Sequence, residues 1–136
     1  QVALDDLLHR SNVVSLHARA TPETCGILNA ERLARLPAGS VVVNCARGSL
    51  MDYDALAEAL QSGHLFAAAA DVFFEEPLPP GSPLLKLSNF ILTPHIAGGT
   101  KQAAEKAASI AAGELGRYLA GEPLRYCMNP QAGSRA

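Results

Sequence analysis

Several features are missing from this sequence, and each absence narrows its class. Its three cysteines, Cys25, Cys45 and Cys127, are unevenly spaced and include no Cys-x-x-Cys pair. An odd count without a framework argues against a disulfide-stapled domain and fits reduced thiols in a cytoplasmic protein. No metal site is expected from that spacing. No apolar run approaches the roughly 20 residues of a membrane helix, so no membrane association is expected. The longest run, at 66–72, has the length of a strand. The amino terminus lacks a basic stretch followed by an apolar core, so no signal peptide is read there. The net charge is −2 and the basic residues are scattered, which is no footprint for nucleic acid. Internal repeats and low-complexity segments are also lacking.

What is present is an ordinary globular composition, 49% apolar and 18% charged over 136 residues, enough for one modest domain with a real core. The first residue is Gln1 and the chain opens directly on a helix-like segment, which hints at a piece of something longer.

Short apolar runs alternate with amphipathic stretches. Leu4, Leu7 and Leu8 share a helical face, and Val13–Leu16 reads as a strand. Thr21 and Pro22 are a helix-start signal, with Ala30, Leu33, Ala34 and Leu36 continuing the stripe until Pro37, Ala38 and Gly39 end it. Val41, Val42 and Val43 form the clearest strand. Asp52 can cap a helix whose inner face is Leu56 and Leu60, stopped at Gly63. Residues 66–72 are the third strand, 77–83 a Pro/Gly loop, and Phe90–Leu92 the fourth strand. Gly98, Gly99 and Thr100 open a long helix over about 101–120, striped by Ala104, Ala107, Ala108, Ala111, Leu115 and Leu119. Strands apolar on both faces and separated by helices predict an α/β architecture of about four parallel strands covered on two sides. Residues 1–130 are expected to form one domain and 131–136 a flexible tail.

Open parallel sheets bind ligands outside the carboxyl ends of their strands. The four expected strand ends are followed by His17, Ala18 and Arg19; by Asn44, Cys45, Ala46, Arg47 and Gly48; by Asp71 and then Glu75 and Glu76; and by Pro94, His95, Ile96, Ala97 and Gly98. An arginine, two or three carboxylates and a histidine on one sheet edge can hold a small anion and move a proton.

Those segments carry a specific resemblance. Val-Val-Asn-Cys-Ala-Arg-Gly at 42–48, Asp-Val-Phe-Phe-Glu-Glu-Pro at 71–77 and Thr-Pro-His-Ile-Ala-Gly-Gly at 93–99 resemble, in order and spacing, the signature segments of the D-isomer-specific 2-hydroxyacid dehydrogenase family. Ser15, Leu16, His17, Thr21, Pro22 and Gly26 are similar to the stretch preceding its arginine strand. The resemblance covers nearly the whole chain. It implies the carboxyl-terminal half of a Rossmann-type, doubly wound NAD(P)-binding domain. It further implies hydride transfer between NAD or NADP and a D-2-hydroxyacid or 2-keto acid, in a cytoplasmic homodimer.

The resemblance also implies roles. Arg47 would bind the substrate carboxylate, for which a planar guanidinium is suited. His95 would give the proton to the carbonyl oxygen, or take it in the reverse direction. Glu76 would hold the imidazole, with Glu75 as its stand-in if the register differs. Asp71 would contact the nicotinamide carboxamide. Ala18, Cys45, Ala46, Arg47, His95, Ala97 and Gly98 would line the nicotinamide end of the cofactor. Formate dehydrogenase is disfavoured because it carries Gln where Glu76 stands.

Two departures stand out. The family usually has Pro where this chain has Arg19. More important, no Gly-x-Gly-x-x-Gly loop occurs, nor the ribose-reading residue about 20 positions beyond it. The family's substrate domain is also missing. The same motifs recur in NAD-responsive corepressors of the C-terminal-binding-protein type, which leaves a non-enzymatic binding module as an alternative. An inactive truncated half-domain is another.

Overall fold

The computed structural model describes residues 1–129, so the tail expected at 131–136 lies outside the described residues. The chain divides after Ala97 into two compact units. The first holds one sheet of four parallel strands in the order β1 (Val13–Leu16), β2 (Ser40–Asn44), β3 (Leu65–Ala70) and β4 (Phe90–Leu92). Val14, Val42, Ala68 and Phe90 lie side by side across it. These four residues and Leu8, Leu33 and Leu56 belong to one buried cluster. The last three come from α1 (Leu4–Arg10), α2 (Ala30–Ala34) and α3 (Tyr53–Gln61).

Local chemistry explains the helices. The Asp52 carboxylate accepts the amides of Asp54 and Ala55 to start α3, and Leu56 and Leu60 point inward. Past α3, Gly63 takes φ +74, a conformation open mainly to glycine. The helix expected from Thr21 does not form. Residues 22–26 are turns, and α2 begins only at Ala30, capped by the Asn29 side chain on the Arg32 amide. The cause is a competing tie. The amides of Gly26 and Leu28 donate to the carbonyls of Ser49 and Leu50, pulling the segment into a bridge before a helix can propagate.

Strand β3 is shifted relative to the expected 66–72. It starts at Leu65 and stops at Ala70. Beyond Asp71 the backbone groups are taken by side chains, the Val72 carbonyl by the Tyr53 hydroxyl and the Phe73 amide by Glu76. The sheet is also not covered on two sides within this unit. Val13 and Ile91, on the face opposite the helices, are 63% and 69% exposed, and Val41 and Val43 beside them are only half-buried. Successive parallel strands joined by crossovers of one hand place their helices on one side.

The second unit is dominated by α4 (Lys101–Leu119), capped by the Thr100 hydroxyl on the Ala103 amide. None of its residues is buried.

Candidate active site

The strand order places the segments that follow β2, β3 and β4 next to one another. Arg47 leaves β2 through a braced turn. Asn44, fully buried at the end of the strand, donates to the Arg47 carbonyl (3.0 Å) and to the Tyr53 hydroxyl (3.2 Å) and accepts the Ala46 amide (3.1 Å). Tyr53 in turn donates to the Val72 carbonyl, and burial pushes its hydroxyl up to about 12. The Arg47 turn and the segment after β3 are therefore joined through two polar side chains, Asn44 buried and Tyr53 half-buried. Gly48 completes the join. A Cβ there would lie 2.0 Å from the Phe73 carbonyl oxygen, so only glycine permits this approach.

Asp71, 2% exposed, anchors the next segment. It accepts the Thr93 hydroxyl and the amides of Ile96 (2.9 Å) and Ala97 (2.7 Å). The Thr93 hydroxyl first, with those two amides, holds its carboxyl below the ordinary carboxylate range. Within the turn so formed, His95 has φ +55, an uncommon conformation for a side chain with a Cβ.

Glu76 faces His95 from across the hollow. One of its oxygens accepts the Phe73 amide at 2.7 Å and the other meets His95 Nδ1 at 2.7 Å. The Phe73 amide and His95 together lower the Glu76 carboxyl. A carboxylate only accepts, so Nδ1 carries the hydrogen and Nε2 is left for another partner. Glu75 is exposed and makes no such contact.

Arg47, Glu76 and His95 line one hollow of about 350 Å³, together with Gly48 and Phe73. Arg47 also lines a second hollow of about 510 Å³, with His17, Ala18, Arg19, Cys45 and Ala46. Ala97 sits beside His95 through its bond to Asp71, and Gly98 begins the second unit. Among the described residues no cluster of three His, Cys, Asp or Glu could hold a metal ion, and no helix is long and apolar enough to cross a membrane. Sequence reasoning gave no role to Asn44, Tyr53, Thr93 or Gly48. For Asn44, a polar residue ending an apolar strand was the available signal.

A cation, an imidazole and a carboxylate now share one mouth at the sheet's carboxyl edge, and comparison with known proteins gives the lineage. A model of the family described as "D-isomer specific 2-hydroxyacid dehydrogenase, NAD binding domain" matches residues 1–97. This chain belongs to that family. It is 44% identical over 119 residues to the glyoxylate reductase of Thermofilum pendens, covering 88% of this chain and 35% of that protein. To the D-3-phosphoglycerate dehydrogenase of Mycobacterium leprae it is 42% identical over 132 residues, covering 97% of this chain and 25% of that enzyme. The chain therefore spans about a third or less of these curated relatives. A D-isomer specific 2-hydroxyacid dehydrogenase from Xanthobacter autotrophicus Py2, crystallised with NADPH and MES, superposes with a TM-score of 0.83 at 43% identity, covering 96% of this chain and 53% of that one. The fold is of the Rossmann dehydrogenase type, with four parallel strands and flanking helices. These relatives place the chain in an oxidoreductase family and do not favour the corepressor alternative.

Proposed function

We propose that this chain is the carboxyl-terminal half of the cofactor-binding domain of an NAD- or NADP-dependent dehydrogenase acting on a D-2-hydroxyacid or the matching 2-keto acid. The observation that carries the reading is that Arg47, Glu76 and His95 line a single hollow. The neighbouring hollow suits the nicotinamide half of a dinucleotide, its ring against Ala18 and Ala46 and its phosphate toward the cationic side chains. In this reading Asp71 contacts the nicotinamide carboxamide, with Ala97 and Gly98 lining the same end of the cofactor. Three free cysteines suit a cytoplasmic setting, and homodimers remain the expected assembly.

When bound, a reduced nicotinamide supplies the hydride. Arg47 holds the substrate carboxylate through its planar fork and draws electron density from the adjacent carbonyl. His95 Nε2 delivers a proton to the carbonyl oxygen, and the imidazole keeps its Nδ1 hydrogen on Glu76. In the oxidation direction the neutral Nε2 accepts that proton from the hydroxyl.

The test is steady-state reduction of glyoxylate, hydroxypyruvate and phosphohydroxypyruvate with NADH and NADPH by the enzyme carrying this chain. His95→Ala is expected to lower kcat by about a hundredfold or more while leaving NADH affinity near that of the parent. Full activity in that variant overturns the assignment.

A further inference from the structure

Arg47 stands between two hollows and is the side chain common to both. Glu76 and His95 open on the first; Arg19 opens on the second. Neither Arg19 nor Arg47 belongs to an ion pair among the described residues, although Arg35 and Arg117 each pair with two carboxylates. Two unpaired guanidinium groups therefore line one cavity in a chain whose net charge is −2. Such neighbours repel until an anion lies between them.

The backbone under Arg19 is fixed rather than loose. Thr24 Oγ1 donates to the Arg19 carbonyl at 2.6 Å and accepts the Thr21 amide at 2.8 Å. Both contacts use backbone or threonine atoms, so the guanidinium is left for a ligand. The wall around it, Ala18 and Ala46, adds no carboxylate.

We infer that Arg19 is a phosphate anchor, supplying beside Arg47 an anion subsite for the pyrophosphate of the dinucleotide while Arg47 keeps the substrate carboxylate. This rests on the dehydrogenase reading above. The second hollow lacks Glu76 and His95, so a keto acid placed there would miss its proton donor, whereas the cofactor's phosphates need only charge and forked donors. A proline at this position would supply neither. This chain carries its own electrostatic hold on the cofactor at the end of β1, independent of a glycine-rich loop.

The experiment is fluorescence titration of NADH into the enzyme carrying this chain, as wild type and as Arg19→Ala, Arg19→Pro and Arg19→Lys, at low and raised salt. The NADH Kd is expected to rise about tenfold in the Ala and Pro variants, the loss of one charge-assisted contact. Arg19→Lys recovers part of it, and the salt dependence becomes shallower without Arg19. At saturating NADH the keto-acid KM is expected to move far less than the NADH Kd. An unchanged NADH Kd in Arg19→Ala overturns the inference. So does a raised keto-acid KM with unchanged NADH binding, which assigns the anion to the substrate instead. If wild type itself binds no NADH or NADPH, the dehydrogenase reading falls and this inference with it.

Discussion

The strand end at Asp71 and the loop at Glu76 each carry one carboxylate, and the two are used differently. Asp71 is buried, and all its donors come from one segment, the Thr93 hydroxyl and the Ile96 and Ala97 amides. Glu76, its side chain 34% exposed, divides its oxygens between the Phe73 amide and the His95 ring. A carboxylate turned on backbone amides fixes a loop. One shared with an imidazole fixes which ring nitrogen is left free. Asp71 thus builds the turn on which His95 stands, and Glu76 sets the ring's orientation.

Replacing the two carboxylates should separate these roles. Asp71→Ala has the largest effect, because it strands a hydroxyl and two amides at once. Thermal melting should show a lowered midpoint, and activity should fall with it. Glu76→Gln should keep the midpoint near wild type and lower kcat by about a hundredfold, since the ring loses its anionic partner but the fold does not. Equal losses of stability in the two variants would erase the distinction. Thr93→Val, which removes one donor from Asp71, should cost about 1 kcal/mol in urea unfolding.

Acid sharpens the contrast further. Both carboxyls are held below their ordinary values in the folded chain. Their stabilisation is therefore complete above the unfolded value of about 4 and is lost as pH falls through the lower folded values. The midpoint should drop on acidification below about pH 4, and less steeply in Thr93→Val, whose Asp71 begins closer to its ordinary value.

Much of this was legible in the residues. β-branched and apolar runs bounded by Pro, Gly and Asp placed four strands, and the polar residues after them marked the edge where Arg47, Glu76 and His95 meet. The turn at 22–26 was not legible, because its competitors, the carbonyls of Ser49 and Leu50, come from a distant part of the chain. The early end of β3 was hidden because the partners past Asp71 are side chains rather than a neighbouring strand, Tyr53 from α3 and Glu76 from the loop that follows. Cover on both sheet faces was inferred from apolar strands. Apolar residues such as Val13 and Ile91 record a preference for burial, not which element supplies it. Nothing near Gly48 in sequence marks it as a contact point, because the Phe73 carbonyl that lies against it comes from the segment after β3.

The most direct measurement is a crystal structure of the enzyme carrying this chain with NADH and oxamate, an unreactive analogue of a 2-keto acid. The oxamate carboxylate should lie on the Arg47 guanidinium, with its amide carbonyl oxygen within hydrogen-bond reach of His95 Nε2 while Nδ1 stays on Glu76. Oxamate bound away from Arg47, or a His95 ring turned from Glu76 in the complex, would contradict the proposed site.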